Sequence, residues 1–487
     1  MAPTNTNNNL TEFKKSCDVV LENIMVDDIN DSITFIGFLN NIQDYLTQEL
    51  EYEDVPCMAY FLNESILQKI VDLVNKDLPP AHVEPLFSFF MAFVTTGLNK
   101  YFAQIHIHRP FTQLLSKLET IYLIDGAKTS RFAVELWNKL KVKPVYLEMM
   151  TDGHSYPLID FFCTSALIPE KEHNYARDII LSIMFPSEDS LPDIFPKYIE
   201  EKFYPQISDF IIATIQCVTT IQFKGSLTSL LSWVDQLLQL AKSFDSWKVI
   251  QEILKLSASQ QMLGFSFLLS YFSAPVIHEK VLEISVSKEV LQTVAECLNS
   301  NDDTSQISGL VFLKTLLTCD CDFSFLLPPK PTEACDVLSN LPVEWLIQCD
   351  GSTSMESYQS DAVSRVLFFD GIRKDGNNKE LFEQILGLLK RFNSISLTVC
   401  LSVTQLITEF VSIAPDLISK DLVDAYAVAI KQYANVPFFE MPNEKSSDCP
   451  EVRAAILAEF GKEIHTTFIA YEKIRSASSS ISQIEFD

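Results

Sequence analysis

Glycine scarcity constrains the fold of this chain more than any other feature: 12 of its 487 residues are Gly. Average usage of ~7% would supply roughly 34. Tight hairpins, phosphate-binding loops and strand-to-helix elbows use Gly wherever φ must be positive. Such architectures are disfavoured here. Apolar residues instead recur at helical spacing along nearly the whole length. Pro, Asn, Asp and Ser punctuate the runs. The pattern predicts an all-α chain.

A chain of 487 residues outgrows a single core. It must split into domains of about 100–200 residues or grow by stacking as a helical solenoid. The punctuation predicts a disordered start over 1–9, a helical solenoid over 10–350, a loop region over 351–378, a C-terminal helical part over 379–475 and a disordered Ser-rich tail over 476–487. Helices are expected at Leu10–Met25, at Asn30–Glu51 with Asn30 and Asp31 as cap residues, at Cys57–Leu62, at Glu64–Lys76 and at Val83–Tyr101. His106–His108 reads as a short link, and Pro110 as a first-turn residue of the next helix. Leu191–Phe203 and Gln206–Phe223 read as two helices, and Ser246–Ser273 as too long for one. A short helix is expected at Val343–Gln348, and further helices at Leu381–Arg391, Ile395–Ile413, Pro415–Tyr433 and Glu451–Arg475. Roughly twenty helices without a strict period predict an irregular armadillo- or HEAT-like α-solenoid.

Lys and Arg number 37 against 64 Asp and Glu, a formal net charge of −27. A surface of that sign repels nucleic acid and anionic lipid, and favours basic partners. The densest basic run is Lys139–Lys143. It reads as a solvated face, or as a contact for a phosphoinositide or an acidic partner. The 11 Cys are scattered, several of them in apolar helical runs. Met1–Asn9 is polar and lacks an apolar signal core, so reduced thiols in the cytosol are expected. Pro85–Leu98 is the longest uncharged apolar stretch, and it falls short of the about 20 residues needed to span a bilayer.

Two constellations invite a metal. His106 and His108 stand two apart, a spacing that ligates only in an extended chain, and Cys319 and Cys321 lack the second pair that zinc sites use. Nucleophile-elbow, Walker, dinucleotide-binding and H-E-x-x-H signatures do not occur in the sequence. No catalytic, cofactor-binding or metal residue is assigned, and a non-enzyme is expected.

Colinear blocks carry a resemblance. The first is Val55-Pro-Cys-Met-Ala-Tyr-Phe-Leu62 with the helix after it. The second runs from Tyr101 to Leu115 through His108-Arg109-Pro110. The third begins at Pro157-Leu158-Ile159 and continues through Tyr175-Ala176-Arg177-Asp178-Ile179-Ile180-Leu181-Ser182-Ile183-Met184. A weaker fourth spans Leu381 to Ile418. In this order they resemble the FTS- and Hook-interacting protein family, most clearly over about 50–220. The signature positions are Pro56, Cys57, His108, Arg109, Pro110, Ala176, Arg177 and Asp178. Their chemistry is structural: Ala176 permits close helix approach, Arg177 can reach a carboxylate or carbonyl end on a neighbour, and Asp178 can cap a helix or pair with an Arg. Animal members of that family carry a long disordered insert where this chain has short loops at 351–378, and the stretch 230–370 is dissimilar.

The resemblance implies a non-catalytic adaptor. It would link a Hook-type coiled-coil dynein adaptor, together with an inactive ubiquitin-conjugating-like FTS protein, to early endosomes or other vesicular cargo through a Rab GTPase. The implied location is cytoplasmic and peripheral on those vesicles, with membrane contact only indirect, no cofactor and no nucleic acid. The alternative is a helical-repeat interaction scaffold outside that complex.

Overall fold

A computed structural model describes residues 6–52, 54–185, 191–239, 241, 243–319, 323–329, 358, 361–364, 366, 378–434, 436 and 448–484. The predicted all-α class holds: among the described residues every regular element is helical. The chain divides into two units, Met1–Tyr204 and Pro205–Asp487.

The first unit contains α1 (Thr6–Asn23), α2 (Ile29–Gln48), α3 (Pro56–Asn63), α4 (Ile66–Leu73), α5 (Pro80–Thr95), α6 (Ile105–Leu115), α7 (Leu118–Tyr122), α8 (Gly126–Leu140), α9 (Pro144–Met149), α10 (Pro157–Ala166) and α11 (Asn174–Met184). Packing is local in sequence. α1 lies on α2, α3 and α4, α2 on α5, α4 on α6, α5 on α8, and α10 on α11. Lengths from 5 residues in α7 to 20 in α2 leave no fixed repeat. Phenylalanine fills the interior: Phe61 stacks on Phe93 at 5.8 Å, and Phe111 meets the edges of Phe90 and Phe102 at 5.0 and 5.3 Å. Such pairs contribute about 0.5–1.5 kcal/mol each beyond their area burial.

α12 (Ile194–Gln216) contains the unit boundary. The second unit continues with α13 (Gly225–Gln239), α14 (Ser246–Leu254), α15 (Ala258–Tyr271), α16 (Pro275–Ser285), α17 (Lys288–Asn299), α18 (Asp303–Thr318), α19 (Lys379–Lys390), α20 (Leu397–Ile413), α21 (Lys420–Lys431) and α22 (Pro450–Ile484). α18 packs on α15, α17 and α20, and α20 packs on α22. Two of the few glycines serve these crossings. A Cβ on Gly264 would stand 3.0 Å from Ile215, and one on Gly309 would stand 3.2 Å from Cys297.

Helix ends reveal how the chain manages with little Gly. Glycine is the usual residue that closes a helix C-terminus. Here side chains from other helices do part of that work. Lys117 donates to the carbonyls of Val71 and Val74 at the end of α4, at 2.5 and 2.7 Å. Gln432 donates to Lys390 O at the end of α19 at 2.8 Å. Arg453, held bidentate by Asp448 at 2.6 and 2.8 Å, donates to Phe392 O at 2.5 Å. N-termini are treated likewise. The Glu49 carboxylate accepts from the N–H groups of Cys57 and Met58 at 2.7 and 2.8 Å, and Asp235 accepts from Ser273 and Ala274, both at 2.8 Å, ahead of α16. Positive φ is rare: Gly153 at 93° and Ser65 at 52° are the described instances.

Several boundaries differ from the sequence expectations. The cap of α2 is Asp28, whose carboxylate accepts from Asn30 N–H at 2.8 Å; Asn30 and Asp31 lie inside the helix. His106–His108 is no link, because α6 begins at Ile105, and Pro110 is an interior residue. The two helices expected around 191–223 are one, α12, with Pro205 inside it. Proline cannot donate to the carbonyl four residues back. At both sites that carbonyl belongs to an exposed residue, His106 or Glu201, where water can bond it. Ser246–Ser273 divides into α14 and α15 at Lys255–Ser257, and α16 lies in a stretch with no helix expected. The chain is helical from Thr6, and α22 runs through Ile484 across the segment expected to be a disordered tail. No Pro or Gly interrupts that segment, and Ser is only mildly unfavourable to helix. Val343–Gln348 and most of 351–378 lie outside the described residues.

Candidate functional site

Three of the four family-like blocks fall in the first unit, and the weaker fourth, Leu381 to Ile418, falls in the second. Pro56 is the first residue of α3, where a missing N–H costs nothing, and Cys57 is buried behind it. Burial, followed by the Glu49 carboxylate, pushes the Cys57 thiol well above its ordinary range, which leaves it protonated and inert. In α6, Pro110 is buried, Arg109 is exposed and His108 is half-buried. His106 is exposed, with Nδ1 3.4 Å from Ser65 Oγ.

Ala176 is fully buried in α11. Arg177 is 5% exposed, and its guanidinium closes the end of α10. Nε donates to Ala166 O at 3.1 Å, Nη2 to Ile168 O, and Nη1 to Asn174 Oδ1 at 2.8 Å. Burial lowers the Arg177 pKa, and the charges of Glu170 and Asp178 partly offset this. Asp178 is exposed on the other side of the helix turn. Close by, His173 Nε2 lies 3.0 Å from Tyr122 Oη, and Ser130 Oγ lies 2.9 Å from Tyr175 Oη. Burial lowers the His173 pKa below its ordinary value. Cys57, Pro110, Ala176 and Arg177 are thus buried among the helices, whereas Arg109 and Asp178 face solvent.

A groove of about 380 Å³ lies between α5 and α8 of the first unit. One stripe of each helix lines it: Glu84, Phe87, Ser88, Met91 and Thr95 face Lys128, Arg131, Phe132, Glu135, Asn138 and Lys139. The floor is aromatic, with Phe87 and Phe132 stacked at 4.1 Å and 5°. One end is a closed charge network. Arg131 reaches Glu84 at 2.7 Å and Glu135 at 3.7 Å, and Lys128 reaches Asp125 at 2.9 Å. Exposed pairs of this kind contribute about 0–1 kcal/mol each. The other end is lined by Thr95, Asn138 and Lys139. Phe102, just past α5, lies 4.8 Å from Tyr146 in α9, so the C-terminal ends of α5 and α8 share that end. Beyond Lys139 the turn into α9 exposes Lys141 and Lys143, with Val142 75% and Val145 58% exposed among them. Lys143 Nζ stands over the Tyr146 ring at 5.3 Å.

The sequence singled out Lys139–Lys143 but not the groove that Lys139 lines. Stripes on α5 and α8 meet only after folding, and Phe87 and Phe132 read in the sequence as ordinary core residues. Among the described residues, no group of three or more His, Cys, Asp or Glu is placed to hold a metal. On the α6 helix His106 and His108 do not converge, and Cys321 lies outside the described residues. No described helix is long and apolar enough to cross a membrane. No protein-family model matches the chain, and comparisons with curated proteins and with solved structures return no match.

Proposed function

We propose that the chain is a non-catalytic adaptor. It bridges a Hook-type coiled-coil dynein adaptor and an inactive ubiquitin-conjugating-like FTS protein to early endosomes or other vesicular cargo. A membrane-bound Rab GTPase is the receptor, so the chain itself touches the bilayer only indirectly. On this reading the stacked helices form an irregular armadillo- or HEAT-like solenoid, with one face for the Hook–FTS side and another for cargo.

One observation carries the reading. The three clearer blocks that resemble the FTS- and Hook-interacting family include packing joints of the first unit: Pro56 starting α3, Pro110 buried in α6 and Arg177 closing α10. Residues that hold helices in register are what an interaction scaffold must keep, because its recognition surface is only as defined as its backbone. A net charge of −27 suits protein partners with basic patches and disfavours direct attachment to anionic lipid.

The test is a pull-down of the tagged full chain from cell extract at mild salt. Recovery of a Hook-like coiled-coil protein together with an FTS-like protein is expected, and recovery of neither refutes the adaptor reading. In cells the chain is expected on motile puncta that stop when microtubules are depolymerised. Diffuse or nuclear signal would favour a scaffold outside the Hook complex.

A further inference from the structure

The connection between α18 and α19 closes on itself. Asn378 N–H donates to Leu327 O at 3.0 Å. The Asn378 side chain then caps α19 by accepting from Leu381 N–H at 3.2 Å. A two-residue turn joins its ends by the same carbonyl-to-N–H bond. Here all of 328–377 lies between the two groups. The chain leaves the helical stack at Leu327 and re-enters it at the same point. The stretch is therefore an insert between α18 and α19, not a span that their separation requires.

Part of the insert is seated on α22. Its described residues 358, 361–364 and 366 are helical. Tyr358, Ala362 and Val366 stand four apart, which puts them on one side of a helix. Ala362 and Val366 are 3% and 2% exposed and cluster with Ala470 of α22, and Tyr471 and Ile474 pack against that cluster. Tyr358 Oη donates to Glu459 Oε2 at 2.5 Å, while the buried Lys462 Nζ holds Glu459 Oε1 at 3.1 Å. The hydroxyl thus meets a carboxylate that a buried cation also holds, and this fixes the register of the segment along α22. Other helices hold α22 as well. Thr408 of α20 donates to Glu463 at 3.2 Å, and Tyr426 of α21 donates to Leu457 O at 2.9 Å, with its ring 5.7 Å from that of Phe460.

We propose that the face of α22 formed by Glu459, Ala470, Tyr471 and Ile474 is a docking site for a short helix, filled in cis by Tyr358, Ala362 and Val366 of the insert. The seated segment defines the chemistry that the site takes: an aromatic hydroxyl, then a small and a β-branched residue at steps of four. Both ends of the insert meet at one hydrogen bond, so lifting the segment leaves the path from α18 to α19 unbroken. A partner helix with the same three side chains takes the face by displacing the segment. The tether makes the segment a competitor at the high local concentration of an intramolecular ligand, and so sets the threshold for the partner. The site does not depend on which complex the chain joins.

The experiment uses the full chain and a fluorescein-labelled peptide of residues 356–370. A362D/V366D charges the buried side of the seated segment and unseats it. Anisotropy is expected to show the peptide binding this variant about tenfold or more tightly than the wild type, whose face is already occupied. Adding I474D to that variant, on the receiving face, is expected to abolish binding. Circular dichroism checks that each variant folds. Equal binding to the wild type and A362D/V366D, binding to neither, or binding that survives I474D overturns the proposal. In a second chain, 330–376 is replaced by a linker of about four Gly and Ser residues. It is expected to keep its helical signal and to bind the peptide as A362D/V366D does. Failure of that chain to fold overturns the reading of 328–377 as an insert.

Discussion

Replacing Arg177 by Met should loosen one corner of the first unit by an amount that can be worked out from its bonds. Met keeps the apolar stem and removes the guanidinium. Three hydrogen bonds disappear, to Ala166 O, Ile168 O and Asn174 Oδ1. Ala166 is fully buried, so its carbonyl loses its cap with no water to replace it, at about 1–3 kcal/mol. Ile168 is half-buried and Asn174 exposed, and both regain solvent bonds, leaving roughly 1 kcal/mol for each charged donor lost. Against this, the buried cation no longer has to be desolvated, which is the same effect that lowers its pKa. The net is a loss of about 2–4 kcal/mol, local to α10 and α11. A two-unit chain need not unfold in one step, so global melting is the wrong readout. Hydrogen exchange of peptides covering Pro157–Met184 is the right one. Amides of the last turn of α10 should exchange roughly 30- to 1000-fold faster in the variant, with the second unit unaffected. Exchange within about threefold of wild type would mean that the guanidinium does not close α10, and the reasoning fails.

Glu49→Ala removes both acceptors at the start of α3 and should cost about 1–2 kcal/mol, read as faster exchange of the Cys57 and Met58 amides, while Glu49→Gln should keep part of the effect. His173 has a folded pKa below its ordinary 6.5, so the unfolded chain takes up the proton first. Stability is therefore full above about pH 6.5 and falls on acidification towards the folded pKa, with a slope of at most about 1.4 kcal/mol per pH unit; H173Q should flatten it in urea titrations at stepped pH, and parallel profiles would refute this. Among the described cysteines, Cys217 is exposed and Cys449 half-buried, and they should be alkylated by iodoacetamide in the native state. Cys17 and Cys400, pushed up to about 12 by burial, and Cys297, pushed up to about 11, should stay unmodified until the chain unfolds, as mass spectrometry would report.

The helical class was legible because it depends on local periodicity repeated many times, as in α8, where Phe132, Leu136 and Leu140 recur on one face. Boundaries were less so, and prolines were the main cause. Pro110 and Pro205 read as helix starts or breaks, yet each sits inside a helix where the abandoned carbonyl belongs to an exposed residue. Exposure is a tertiary property, and no local pattern carries it. Caps supplied from another helix share that limit. Arg177 has the reach and charge to bond a carbonyl end, but that the end is Ala166, rather than any other, follows only from the packing of α10 on α11. The same holds for the groove. Its Lys139 belongs to a visible basic run, whereas its floor joins Phe87 to Phe132 across two helices with intervening turns.

Helix ends closed by distant side chains set a schedule for synthesis. The carbonyl of Val74 waits for Lys117, 43 residues later, and that of Phe392 waits for Arg453, 61 residues later. At about 5–20 residues per second a ribosome needs roughly 2–9 s to supply the first cap and 3–12 s to supply the second. Until then the end of α4 and the turn after α19 are frayed and depend on water. A chain that closed its helices with glycine would complete each one as it emerged. This one completes them in arrears, so a stalled ribosome presents chaperones with helices whose last turns are still open.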